Sequence, residues 1–186
     1  MNLKGVFLTV VLTLLLAGAP AALAQQTKQS FSREQLITAA REIISTTRYA
    51  ALITLDSAGR PQARTVDPFP PEKNFIIWIG TNPRTRKVAA IRRNPHVSLY
   101  YFDHESQAYV TIRGTARLVN DAETKAKWFK DEWKAFYPDR ARDFILIKVT
   151  PEQLEIVNVK SGILGDSVKW LPPTVHFGKA RLRKLP

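Results

Sequence analysis

Seven short β-like segments run through the middle of this chain, and helical patterns fall between them at irregular intervals instead of after every strand. A parallel sheet needs a crossover after each strand, so regular α/β winding is excluded and antiparallel pairing is implied. The segments are residues 49–55, 62–66, 75–80, 97–102, 108–119, 144–149 and 154–159. Asp56-Ser57-Ala58-Gly59 followed by Pro61 reads as the turn of a hairpin, and Pro68, Pro70 and Pro71 end its second strand. The third segment is almost wholly apolar and so central; the fifth is long enough to bend at Gly114. The last two flank Pro151. This pattern predicts a mainly β fold with inserted helices, a six- to seven-stranded antiparallel barrel in which segment 62–66 neighbours the third strand.

The helix signals are local. Ser32 and Gln35 have capping-box spacing, Phe31 can staple against Leu36, and Leu36, Ile37, Ala40, Ile43 and Ile44 make one apolar stripe. Asn82 as cap and Pro83 as first helical residue predict a short helix over 83–93, stopped by Asn94-Pro95. Asp121 opens another, on which Phe129, Trp133, Phe136 and Tyr137 share a face. After Gly162 the pattern fades into a tail with Trp170 and the basic residues Lys179, Arg181, Arg183 and Lys184.

The N-terminus carries Lys4, an apolar run over 6–16 and Ala22-Leu23-Ala24 before Gln25. A charged head, a short apolar middle and an Ala-x-Ala end predict a signal peptide over 1–24, leaving 25–186 as a single domain with a basic C-terminal tail. The run is too short for a membrane span, so none is expected after cleavage. Without a twin Arg the signal is of Sec type, and the product is expected to be periplasmic or secreted. The chain has no Cys, which excludes disulfides, a lipid-attached Cys and a thiol nucleophile. Its net charge is +12, of which Lys4 leaves with the signal. That balance favours anionic ligands; an exported location argues against specific nucleic acid.

Two places could carry chemistry. Gly80-Thr81-Asn82-Pro83-Arg84-Thr85-Arg86-Lys87 passes from a buried strand into a helix start, where free N–H groups and the dipole favour a phosphate. Thr81 and Thr85 add hydroxyls, Arg86 and Lys87 charged donors. The same stretch reads equally as a solvated basic face, because Arg84, Arg92 and Arg93 cannot all reach one ligand. The second place is Arg64, within a strand, which either reaches solvent or meets an anion. Other chemistries find no support. His96, His104 and His176 lack metal-ligand spacing, there is no nucleophile elbow or dinucleotide fingerprint, and Asp103 with Glu105 reads as a turn. No metal and no catalytic side chain is expected.

Arg64-Thr65-Val66, Trp78-Ile79-Gly80-Thr81, the Arg86-Lys87 pair, Asn94-Pro95-His96-Val97-Ser98-Leu99 and Ile112-Arg113-Gly114-Thr115-Ala116-Arg117-Leu118 stand in an order over about residues 33–160 that resembles the pyridoxamine 5′-phosphate oxidase-like FMN-binding split barrels, including their general-stress-protein-like members. The resemblance implies a split barrel, a homodimer with two flavins at its interface, and FMN as cofactor. It places Arg64, Thr81, Arg86 and Lys87 on the phosphate, with Val66 and Gly80 beside the flavin, Thr65 among the cofactor-binding residues and Tyr109 near the place of a flavin-contacting Gln. It implies an FMN-dependent oxidoreductase acting on a small redox substrate, or an FMN carrier. The alternative is a non-enzymatic module on the same barrel holding haem or another planar anion.

Departures from the oxidases narrow this. Where they carry a substrate-phosphate Lys, this chain has Asp67-Pro68-Phe69, expected to repel that phosphate, and their C-terminal Arg-x-His is absent around His176. Vitamin B6 oxidation is therefore not expected. Trp170 reads first as packing material, with a cover over a neighbouring subunit's flavin as the other reading.

Overall fold

A computed structural model describes residues 30–178; the expected signal peptide and the basic residues from Lys179 onward lie outside them. The chain forms α1 (Arg33–Thr46), β1 (Ala50–Leu55), β2 (Pro61–Val66), β3 (Ile77–Thr81), α2 (Arg86–Arg93), β4 (His96–Asp103), β5 (Ala108–Val119), α3 (Ala122–Lys127), a 3-10 turn (Asp131–Trp133), α4 (Arg140–Asp143), β6 (Ile145–Asn158) and β7 (Thr174–His176).

The strands make one antiparallel sheet in the order β2-β1-β4-β5-β6-β3, with β7 added on β6. The sheet curls until its ends approach. Pro68, just past β2, bridges to Ile79 of β3, and the Phe69 N–H donates to the Trp78 carbonyl at 2.8 Å. Segment 62–66 therefore meets the third strand only beyond its own end; its ladder is with β1.

Alternation decides what faces inward. Leu52, Leu99, Ile112 and Leu154 are all fully buried and stand in one cross-strand row, with Arg64 at its edge opposite Leu52. Helix α1 lays Leu36, Ala39, Ala40, Ile43 and Ile44 against this core, and its capping box forms, with the Gln35 N–H on Ser32 Oγ (3.2 Å) and the Ser32 N–H on Gln35 Oε1 (2.8 Å).

Strand β6 runs unbroken through Pro151, correcting the expected division there. Proline removes a ladder donor, which a sheet tolerates at a bulge. The β5–β6 register shifts between Arg113 and Gly114, directly opposite. Gly114 lets the strands close, because a Cβ on it would strike the Thr150 carbonyl.

The single helix expected after Asp121 breaks into three pieces. Asp121 does cap, accepting from the Thr124 N–H at 2.8 Å, but α3 ends at Lys127. Breaking the helix lets each ring find its own partner: Trp128 stacks on Trp78, while Phe129, Trp133 and Tyr137 close around Phe144. Phe136, expected on their face, is 75% exposed.

Candidate functional site

The candidate site sits where β3 hands over to α2. Thr81, buried at the end of β3, leads into a turn built by Asn82, whose Oδ1 accepts from the Arg84 N–H (2.9 Å) and whose carbonyl accepts from the Thr85 N–H (3.2 Å) and Oγ1 (3.0 Å). Asn82 and Pro83 are thus spent on the turn, and the helix cap moves from the expected Asn82 to Thr85. The Thr85 hydroxyl faces back toward the turn, 3.4 Å from Thr81 Oγ1, so α2 begins without a side-chain cap. Helix N–H groups at such an end suit an oxyanion.

Arg64 comes to this place from β2. Half-buried on the core side, its Nη1 donates to Thr54 Oγ1 at 2.7 Å and to the Leu52 carbonyl at 3.3 Å. Burial holds the Arg64 guanidinium below its usual range, and the charge of Arg86 adds to that. The half-buried Lys87 ammonium is likewise pushed down, by burial first and by Arg64 second. Arg64 thus stands near enough to both Arg86 and Lys87 for their like charges to oppose each other. Among the described residues none of them joins an ion pair with a carboxylate.

The other cations of this stretch go elsewhere. Arg84 Nη2 pairs with Asp143 Oδ1 at 2.8 Å, and Arg142 holds the same carboxylate at 3.2 Å. Arg92 and Arg93 lie in the last turn of α2, away from its start. This separates what the sequence left mixed: Arg64, Arg86 and Lys87 gather, while Arg84, Arg92 and Arg93 do not.

The remaining expected contacts are placed less simply. Val66 lies on the Arg64 side, packed in the core, but Thr65 is exposed on the opposite face. The space beside Gly80 is filled by Trp133 and Phe144, so Gly80 serves the packing of these rings and leaves only backbone for a ligand. Tyr109 is on the outer face of β5 in a row with the exposed Tyr100 and Phe102, across the sheet from Arg64. One protomer does not bring Tyr109 to the cation cluster. Thr54 joins the site without any motif to announce it; its only signal in the sequence is strand alternation, which puts it with Leu52 on the Arg64 side.

Two readings need correcting. Asp67 was expected to repel a phosphate, but it is held by Lys130 (2.7 Å) and Arg48 (3.4 Å), which offset its charge. Trp170, read as packing material, is 82% exposed.

A cleft of about 860 Å³ between Ile37, Phe75, Ile76, Pro151 and Phe177 shares no residue with the cluster of Arg64, Arg86 and Lys87. Among the described residues no three His, Asp or Glu side chains form a metal-holding group, and no helix is long and apolar enough to cross a membrane.

Residues 36–158 match the family model described as pyridoxamine 5′-phosphate oxidase. General stress protein 26 of Bacillus subtilis is 25% identical over 104 residues, covering 54% of this chain and 73% of that protein. Among solved structures, a protein related to general stress protein 26 from Clostridium acetobutylicum matches with a TM-score of 0.61 at 21% identity, over 70% of this chain and 92% of that one. A pyridoxamine 5′-phosphate oxidase-related, FMN binding protein from Nostoc punctiforme matches at 0.58 and 15%, over 80% and 98%. A heme binding protein from Mycobacterium smegmatis matches at 0.53 and 20%, over 63% and 52%. At such identities these structures establish the split-barrel fold alone.

Proposed function

The chain belongs to the pyridoxamine 5′-phosphate oxidase family, and from that premise we propose that it binds FMN, as a homodimer, and serves a flavin-dependent oxidation or reduction of a small molecule. One observation carries the reading: Arg64 of β2 lies near enough to Arg86 and Lys87 at the start of α2 for its charge and theirs to act on one another, and among the described residues none of the three pairs with a carboxylate. Such a cluster costs free energy until an anion fills it.

The residues present fit a phosphate. Arg64 is held in position by Thr54 and the Leu52 carbonyl before any ligand arrives. Arg86 and Lys87 supply charged donors, while the hydroxyls of Thr81 and Thr85, bonded to each other and the second also to the Asn82 carbonyl, hold the turn in shape beside them. Bound FMN supplies the redox chemistry, while protein groups hold and orient it. No side chain of the site need act as acid or base.

The placement of Tyr109 supports the homodimer. It shares a face with Tyr100 and Phe102, solvent-exposed in one protomer, and a second copy covering that row would bury it. Thr65, on the outward side of β2, would be reached only from there.

The haem reading has one observation behind it: His104 lies beside the same row, 6.3 Å from the Phe102 ring. An axial ligand there would put the cofactor on the outer face, leaving the cation cluster without a role. Purification with the native cofactor separates the two. Flavin absorption and a dimer mass in solution support the proposal; an intense haem band abolished by His104→Ala overturns it. Export is proposed from residues 1–24, and a mature N-terminus at Gln25 would establish it.

A further inference from the structure

Among the described residues, Lys125 is a buried cation whose hydrogen bonds go only to neutral oxygens. The residue is 5% exposed, and its Nζ donates to Asn120 Oδ1 at 3.0 Å and to the Ala141 carbonyl at 2.8 Å. An ammonium has three N–H donors, so these two acceptors leave one over. Among the described residues no carboxylate stands within ion-pair distance of Lys125.

A second cation shares the place. Arg140 lines the same cleft of about 340 Å³, together with Asn120, Ala122 and Ala141. Its guanidinium lies 4.7 Å over the Phe129 ring and also joins no ion pair among the described residues. Burial pushes the Lys125 ammonium down and Arg140 adds to this, with Asp139 opposing it in part. Asp139 itself is engaged elsewhere, accepting from the Arg142 N–H at 3.1 Å and facing Arg142 Nε at 3.7 Å.

A buried ammonium and a neighbouring guanidinium, neither of them in an ion pair among the described residues, leave the cleft with an excess of positive charge. We propose that this cleft is a second anion site, taking a small oxyanion or the carboxylate of a small molecule between Lys125 and Arg140. The third N–H of Lys125 and the fork of Arg140 are its donors. The site shares no residue with Arg64, Thr81, Arg86 and Lys87.

The test uses inorganic phosphate as probe in an Arg64→Ala/Lys87→Ala background, so that the first cluster does not take it. Thermal unfolding is followed in phosphate against chloride at equal ionic strength. Phosphate is expected to raise the midpoint saturably, and both Lys125→Met and Arg140→Gln to weaken its apparent affinity at least about tenfold, the loss of one charged hydrogen bond. In chloride, Lys125→Met should leave the midpoint unchanged or raise it, since an unmatched buried charge is gone. Saturable binding that survives both substitutions, or none in the background, overturns the proposal. Should Lys125→Met fail to fold, Arg140→Gln alone decides between these outcomes.

Discussion

Two charged regions meet at the start of α2, and they are built on opposite plans. On one side the cations that lead toward Asp143 and Asp67 are matched: Arg84 and Arg142 share Asp143, and beyond them Lys130 and Arg48 share Asp67. On the β2 side Arg64, Arg86 and Lys87 stand together, unmatched among the described residues. Arg84 and Arg86 are two residues apart and chemically alike, yet belong to different regions. The difference teaches that a charge with its partner inside the chain holds the fold, whereas a group of charges without one is left for a ligand.

The strongest way to break this comparison is to remove cations from each side. Arg86→Ala or Lys87→Ala is expected to cost about 1.5 to 3 kcal/mol of FMN affinity, roughly ten- to hundredfold, through loss of a charged hydrogen bond. Arg84→Ala should leave FMN affinity unchanged, as equilibrium titration would show. Equal losses from Arg84 and Arg86 would erase the distinction.

Gly80 tests whether the paired side is truly packed. Gly80→Ala would drive its Cβ into Trp133 and Phe144, and overpacking of this kind costs about 1 to 3 kcal/mol, read from denaturant unfolding. A harmless Gly80→Ala would mean that the aromatic cluster is loose.

Acid sharpens the contrast further. Hydrogen bonds from Arg142 and Arg84 hold the Asp143 carboxyl below its usual range. A carboxylate with a lowered folded value contributes stability that is whole above the ordinary value of 3.8 and is lost as pH falls through the lowered one. Asp143→Asn should therefore flatten the acid limb of a stability-against-pH curve and leave ligand binding by the cation cluster in place.

The smallest effect concerns a site belonging to neither region. Tyr101 is buried with its hydroxyl unpartnered, and burial raises the phenol above its ordinary range. Tyr101→Phe removes a polar atom that gains nothing in the fold, so stability should hold or rise by about 1 kcal/mol, measured by thermal unfolding.

Local signals were legible in the sequence. The Ser32–Gln35 capping box and the Gly114 bend carry their own geometry within a few residues, and both form. What the sequence hid was decided by distant partners. Asn82 caps a turn instead of a helix because Arg84 and Thr85 bond back to it, and the aromatic helix breaks because Trp78 and Phe144, far along the chain, set where its rings must go. Strand β7 has no periodic pattern to announce it; its three residues pair because β6 offers them an edge. In the site, Arg86 and Lys87 were legible as neighbours, but only the barrel's closure brings Arg64 to them and sends Arg84 to Asp143. Asp67 shows the same limit, since a carboxylate's effect on a ligand depends on cations 19 and 63 residues away.

The most direct measurement compares FMN with riboflavin, which lacks the phosphate, by fluorescence quenching on the wild-type protein and on Arg64→Ala. If the cations grip a phosphate, FMN binds at least about tenfold more tightly than riboflavin to the wild type, and the preference collapses in the variant. Equal affinity for the two ligands, or a preference that survives Arg64→Ala, would contradict the assignment.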